Sequence, residues 1–294
     1  MKNEAILLLS ILVCMGCRQV GENQNADKNS SSYVESGFEV TDHLKEIYHR
    51  FPSPEEMFAI IEIDKTDFNS QFVNSTDKIN QYLDSRSQAI NLGVYTADLA
   101  YVSALQQHTE SIKYFDVIYE LSNKLRISSA FDKPLMLRIQ ENINNADSLK
   151  VISELAFNSL YNFLESTDNE KVFALISMGG FVEAMYLSLN FVNEYDENSK
   201  VIQHIADQKY VLNNILSFSK QFEGDIAVAG AVEEMKKIQE VYNNLSQVKT
   251  ETSITRDSKG KLVVSGGSKL IMSENEFSKL KEAIYITRKR ITQN

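Results

Sequence analysis

Two stretches of this sequence each place a carboxylate three residues before a tyrosine: GVYTADLAYVS (residues 93–103) and GGFVEAMYLS (residues 179–188). A spacing of three puts both side chains of a pair on one face of a helix. If the two carboxylates faced each other, the pKa of one would rise and that group could exchange a proton with a substrate. The sequence therefore predicts a candidate binding pocket. Its members are Tyr95, Asp98, Tyr101, Glu183 and Tyr186.

Small residues four apart accompany both pairs, Gly93 with Ala97 and Gly180 with Ala184, and they would let two helix backbones come close together. A second interpretation needs no pocket. In it, the tyrosines are core aromatics whose hydroxyls bond to carbonyl groups, and the carboxylates cap a helix or pair with a neighbour. Both interpretations are open from the sequence.

The only two cysteines, Cys14 and Cys17, have the C-x-x-C spacing of a redox pair, but the residues before them indicate an export signal. Lys2 is followed by an apolar or small run from residue 5 to residue 13. That layout is the basic start and the apolar region of roughly 7–15 residues found in secretory leaders. A membrane span would need about 20 apolar residues. Residues 1–16 are therefore predicted to be a signal peptide.

The motif Cys14-Met15-Gly16-Cys17 resembles a bacterial lipobox, in which the chain is cut after Gly16 and lipid is attached to Cys17. An acylated thiol is not available for redox chemistry. The residue directly after Cys17 is Arg18 and not an aspartate, so the usual inner-membrane retention signal is missing. We expect an outer-membrane lipoprotein that contacts the membrane through this lipid. A position facing the periplasm is favoured, and surface exposure is left open.

Composition divides the remaining chain into a tether and a folded part. Residues 17–37 include GENQNADKNSSS, which has no large apolar residue, and are predicted to be a flexible tether. A hydrophobic content of 43% is enough for a globular core, and with only 11 Gly and 3 Pro the chain has few helix breakers. A helical domain is predicted over residues 38–248. Residues 249–294 are predicted to form a β-hairpin and a C-terminal helix that pack on it.

Hydrophobic periodicity predicts the individual helices. Apolar residues recur with a 3.6-residue period along residues 109–127, at Ile112, Phe115, Ile118, Leu121 and Leu125. Further helices are predicted over residues 74–91, 147–165, 169–193, 199–222 and 225–248. Because the linkers are short, consecutive helices should be antiparallel neighbours. The predicted fold class is all-α, an antiparallel helical bundle or stacked helix pairs.

The last part of the chain has the pattern of a hairpin followed by a helix. Residues 257–260 (DSKG) form a turn signal before the strand-like residues 262–264. Ser273 and Glu276 then form a capping box, which marks the start of a helix. The basic residues 288–290 suit the last turn of that helix, where the helix dipole favours positive charge.

Four segments are similar to recurring segments of uncharacterised Bacteroidota lipoproteins that end in a hairpin and a helix. These segments are FPSPEEM (51–57), NLGVYTADLAY (91–101), ENINNADSL (141–149) and GGFVEAMYLS (179–188). The resemblance covers most of the folded part and implies a common fold. It brings no assigned activity and no catalytic residues.

Charge and motif content narrow the function classes. A net charge of −10 argues against nucleic acid as a partner, since binding to phosphates requires positive charge. The four histidines are scattered, and no hydrolase, nucleotide-binding or metalloprotease motif is present. We therefore predict no catalytic residues, no metal and no cofactor.

The preferred function is non-enzymatic binding or assembly of a protein partner or small ligand by a lipid-anchored envelope protein. An exposed apolar patch or a groove between helices is expected. One alternative is an enzyme that uses carboxylate and tyrosine acid–base chemistry in the region Gly93–Ser188. The other is a helical-repeat scaffold.

Overall fold

The computed structural model describes residues 67–143, 145–256 and 262–293, and there it confirms the all-α prediction. The α-helices are α1 (Ser85–Ala104), α2 (His108–Lys124), α3 (Lys133–Asn142), α4 (Ala146–Ser166), α5 (Glu170–Asn190), α6 (Lys200–Ser219), α7 (Ile226–Asn243) and α8 (Glu274–Thr292). Strands β1 (Ser246–Arg256) and β2 (Leu262–Ile271) form an antiparallel hairpin before α8. Short 3-10 helices cover Thr76–Gln81, Ser128–Ala130 and Lys220–Phe222.

Several predictions fall outside the described residues. They are the signal peptide and Cys17, the tether, the first part of the helical domain up to residue 66, and the turn at residues 257–260.

Helices α1 and α5 form the centre of the bundle and pack most closely against each other. Both are buried around their whole circumference, so neither has an amphipathic stripe. Of the helices in the described part of the chain, α5 alone is long and apolar enough to cross a membrane, with a mean hydropathy of 1.7 in its most apolar window. However, 78% of that window is buried inside the fold. The bundle core therefore accounts for its apolar character.

The other helices surround this central pair. Helix α2 packs on α1, and α4, α6 and α8 pack on α5. Helix α7 lies against α6 and α8, and β2 contacts α6. The bundle therefore has α1 and α5 at its core, and the hairpin is attached to it through β2.

Three predicted boundaries were wrong. Residues 74–91 are predicted to form one helix, but α1 begins only at Ser85 and runs unbroken past Asn91 to Ala104. It begins late because the Asp84 carboxylate caps it by accepting the Ser87 N–H. Helix α7 ends at Asn243, so β1 begins at Ser246, within the predicted helix.

The C-terminal helix begins as predicted. Ser273 accepts the Glu276 N–H, and the Glu276 carboxylate accepts the Ser273 N–H, so the capping box is complete. Lys289 and Arg290 lie in the last turn. Phe277, Leu280 and Ile284 are buried on the side of α8 that faces the bundle, so this helix closes the core.

Candidate functional site

The backbones of α1 and α5 come close enough to place their carboxylates side by side. A Cβ atom on Gly93 would lie 2.6 Å from the Gly180 nitrogen and closer still to the Ile176 carbonyl oxygen. A Cβ atom on Gly179 would lie 2.7 Å from the carbonyl carbon of Ile90. At Gly180 the nearest atom would be 3.5 Å away, an ordinary contact. The close approach was predicted, but on α5 it depends on Gly179 rather than on Gly180.

Asp98 on α1 and Glu183 on α5 meet in the interior, and both are 0% exposed. The Asp98 Oδ2 atom accepts the backbone N–H of Asn74 at 3.1 Å. Its Oδ1 atom receives no hydrogen bond from the described residues. Burial, then the negative charge and hydrogen-bonding capacity of the neighbouring Glu183, raise the pKa of Asp98 well above its usual range. The raised pKa favours the protonated form of Asp98 beside the Glu183 carboxylate.

Glu183 is also paired with Arg288 from the C-terminal helix. The guanidinium binds the carboxylate in a bidentate manner, with Nε to Oε2 at 2.7 Å and Nη2 to Oε1 at 2.7 Å. Burial by itself would lower the pKa of Arg288, but the charge and hydrogen bonds of Glu183 outweigh it and the pKa is raised. A buried carboxylate without such a partner would be strongly unfavourable.

Two further contacts hold the Arg288 side chain in place. Its Nη2 atom donates to the Phe72 carbonyl at 3.1 Å. Its guanidinium carbon lies 3.9 Å from the centre of the Tyr186 ring, a cation–π contact. Tyr186 in turn packs against the ring of Tyr285, with centroids 4.7 Å apart. The guanidinium is thus fixed from three directions.

Asn74 connects residues 67–82, which we call the leading segment, to this buried group. Its side-chain amide donates to the Tyr82 hydroxyl at 3.0 Å, and its carbonyl accepts the Tyr114 hydroxyl at 2.9 Å. Its amide oxygen accepts the Lys78 ammonium at 3.0 Å. Since its backbone N–H donates to Asp98, Asn74 ties the leading segment to α1, α2 and the carboxyl pair. We call Asp98, Glu183, Arg288 and Asn74 the polar lock.

Of the five predicted pocket residues, Asp98 and Glu183 belong to this lock, and the three tyrosines lie around it in different roles. Tyr95 donates its hydroxyl to the Ser75 carbonyl at 2.8 Å, and the Tyr101 hydroxyl accepts the Asn69 N–H at 3.0 Å. Burial raises the pKa of both hydroxyls, so both keep their protons. Tyr186 is half-buried and stacks on Arg288.

The lock has little capacity for chemistry on a substrate. Asp98, Glu183, Tyr95 and Tyr101 are all 0% exposed, and the polar groups they present are largely turned toward one another or toward the backbone. The ion pair and hydrogen bonds inside such a closed group hold helices together. This arrangement resembles the second interpretation of the sequence, in which the tyrosines are core aromatics and the carboxylates pair with a neighbour. The neighbour of Glu183 is Arg288, which the sequence did not indicate.

A separate feature, which we call the apolar cavity, lies between α1, α2, α3, α4 and α5. Its volume is about 220 Å³. Small residues of the central helices form one wall, namely Gly93, Ala97, Ala100, Gly180 and Ala184. Side chains of the outer elements form the other, among them Phe115, Ile118, Tyr119, Phe131, Met136, Ile152, Ala156 and Phe157. None of the described lining residues is charged.

The few hydroxyl groups in the lining include two that are used within their own helices. Thr96 donates to the Leu92 carbonyl and Ser122 donates to the Ile118 carbonyl, both at 2.8 Å. Tyr119 is 48% exposed and marks the side that faces solvent. The walls therefore favour an apolar molecule over a charged one.

Sequence analysis missed the two residues that complete the lock. Arg288 was assigned to the helix end, and Asn74 was placed near the start of a helix. The useful signal was Glu183 itself, because a carboxylate inside so apolar a helix requires a cation. The sequence does not say which of its 30 Lys and Arg residues supplies it.

Within the described residues, no group of three or more His, Cys, Asp or Glu side chains could hold a metal ion. Searches against protein-family models, curated proteins and solved structures give no match for this chain. The geometry therefore carries the functional argument alone.

Proposed function

We propose that this protein is a lipid-anchored envelope protein that binds an apolar ligand, such as a lipid acyl chain or an isoprenoid, without transforming it. The observation that carries the proposal is the apolar cavity between α1 and α5 and the outer helices. The sequence adds the signal peptide, acylation at Cys17, an outer-membrane position facing the periplasm, and kinship with Bacteroidota lipoproteins. These remain parts of the proposal.

The size of the cavity supports a small or slender ligand. An engineered apolar cavity of about 150 Å³ holds one benzene molecule, and sites for drug-sized ligands occupy about 300–1,000 Å³. At about 220 Å³ this cavity lies between the two. A hydrocarbon chain fits such a space because its cross-section is narrow and its length can extend toward solvent at Tyr119.

Binding without catalysis is the better match to the lining. The polar lock, which holds the buried acid pair, contributes no residue to the cavity wall. An apolar ligand there would gain burial of its surface, about 25 cal/mol per Å². No specific observation favours the alternatives of an acid–base enzyme or a helical-repeat scaffold.

Displacement of a fluorescent fatty acid tests the proposal. The chain has no tryptophan, so the emission of cis-parinaric acid can be followed without indole background. We expect saturable binding to the purified full-length protein and competition by unlabelled lauric acid. Ala156→Phe should weaken binding at least about tenfold, or about 1.4 kcal/mol, because the ring fills the space that the ligand needs.

Ala229→Phe is the matched control. This alanine of α7 is half-buried but does not line the cavity. The Ala229→Phe protein should bind cis-parinaric acid as tightly as the wild type does. Absence of saturable binding, or equal binding by the wild type and Ala156→Phe, would contradict the proposal, provided that circular dichroism shows both proteins folded.

A further inference from the structure

A second pocket, of about 320 Å³, lies where the leading segment meets α5 and α8, and we call it the cationic pocket. Three of its lining residues are basic: Lys78, Arg288 and Lys289. The rings of Tyr186 and Tyr285 form part of its wall. It shares no lining residue with the apolar cavity, so the two would bind ligands independently.

The positive charge in this pocket is not balanced by acids of the described residues. Arg288 neutralises Glu183, and the raised pKa of Asp98 favours the uncharged form of that group. Lys78 donates to the Asn74 amide oxygen, and neither Lys78 nor Lys289 forms an ion pair with any described residue. Among the described residues, two ammonium groups therefore have no ion-pair partner, in a chain whose net charge is −10.

Arg288 keeps donors available on the pocket side. The hydrogen bonds that Arg288 donates to described residues all come from its Nε and Nη2 atoms. Both N–H groups of its Nη1 atom therefore have no acceptor among the described residues. The Tyr186 ring and Glu183 hold the guanidinium in a fixed orientation. A fixed guanidinium with free N–H groups suits a tetrahedral oxyanion, because it loses little freedom on binding.

We propose that the cationic pocket binds a phosphate group, carried either by a small soluble molecule or by a lipid headgroup. The phosphate would lie between the Lys78 and Lys289 ammonium groups and the Nη1 side of Arg288. Burial and then the charge of Arg288 lower the pKa of Lys78, and the nearby carboxyl groups of Glu183 and Asp98 offset this effect only in part. A bound phosphate would supply a closer anionic neighbour.

The test uses the full-length chain with Cys17→Ala, so that acylation cannot attach the protein to vesicles. Calorimetric titration with inorganic phosphate is the first arm. Co-sedimentation with phosphatidylcholine vesicles, with and without phosphatidic acid, is the second. Replacing both Lys78 and Lys289 by Gln changes no residue of the polar lock and removes only the Lys78 hydrogen bond to the Asn74 amide oxygen. Lys279→Gln is the matched control, since this exposed lysine of α8 does not line the pocket.

Each pocket lysine should contribute about fivefold to affinity, so the double variant should bind about 25-fold more weakly while Lys279→Gln binds normally. A loss in the phosphate arm identifies a soluble phosphate as sufficient. A loss seen only with phosphatidic acid vesicles identifies a lipid headgroup. Absence of binding in both arms, or an equal loss with Lys279→Gln, would overturn the proposal. Neither result would affect fatty-acid binding in the apolar cavity.

Discussion

Replacing Arg288 by Met should expose the energetic role of the polar lock. The change removes two charge-assisted hydrogen bonds of 2.7 Å and leaves Glu183, which is 0% exposed, as a buried charge without its cation. The Arg288 side chain is only 14% exposed, so solvent screens the pair weakly. Breaking a buried ion pair by removing one partner typically costs about 3–5 kcal/mol. We expect the free energy of unfolding to fall by about 4 kcal/mol.

Arg290→Met provides the matched control on the same helix. Arg290 forms an ion pair with Glu234, but these side chains are 47% and 24% exposed. Exposed pairs contribute about 0–1 kcal/mol, so this variant should lose less than about 1 kcal/mol. Urea denaturation followed by circular dichroism measures both values. Equal losses for Arg288→Met and Arg290→Met would refute the claim that the lock stabilises the fold.

The double variant Glu183→Gln with Arg288→Met separates charge from packing. An amide at position 183 carries no charge and still offers an oxygen to the Asp98 carboxyl group. We therefore expect the double variant to be more stable than Arg288→Met alone by about 1–2 kcal/mol, a clear departure from additivity. If the two losses simply add, the cost of Arg288→Met comes from lost packing and not from the bare charge on Glu183.

Two further predictions follow from the structure and one from the sequence. Burial and the charge of Glu183 raise the pKa of Asp98 above 3.8, so its stabilising contribution is complete below that pH and declines as pH rises toward the folded-state pKa. This decline amounts to about 1.4 kcal/mol per pH unit. Asp98→Asn should remove the decline, and urea titrations of both proteins at several pH values measure the difference. Gly179→Ala should lower thermal stability by about 3 kcal/mol because its Cβ would clash with Ile90, whereas Gly224→Ala, with nothing within 4 Å, should change it by less than about 0.5 kcal/mol. Cys17→Ala should abolish incorporation of labelled palmitate and release the protein from the membrane fraction, and incorporation that persists would contradict anchoring at this residue.

Local pattern was a good guide to the outer elements. The capping box at Ser273 marks the start of α8 in the structure as it does in the sequence. On α2, Phe115 and Leu121 of the predicted apolar face are buried, but Ile112 is 51% exposed. The predicted apolar face is only partly buried, because one side of α2 contacts α1 and another side, which carries Ile118, lines the cavity.

The same reasoning fails at the centre of the bundle. A helix that is buried on every side has no period to detect, so the boundaries of α1 could not be read from its apolar residues. Gly93, predicted to allow close packing of two helices, is the point where α1 approaches α5. Partners far apart in sequence are equally hidden, since Glu183 and Arg288 are separated by 105 residues.

The polar lock explains how so apolar a centre adopts one arrangement. Apolar helices can slide or rotate against one another with little change in buried surface, whereas a bidentate ion pair is satisfied in one geometry only. Glu183 on α5 must meet Arg288 on α8, and Asp98 on α1 must meet both Glu183 and the Asn74 N–H. We interpret the lock as fixing the register of α1, α5 and α8. With these three helices held in register, small residues of α1 and α5 that are not part of the lock can line the apolar cavity.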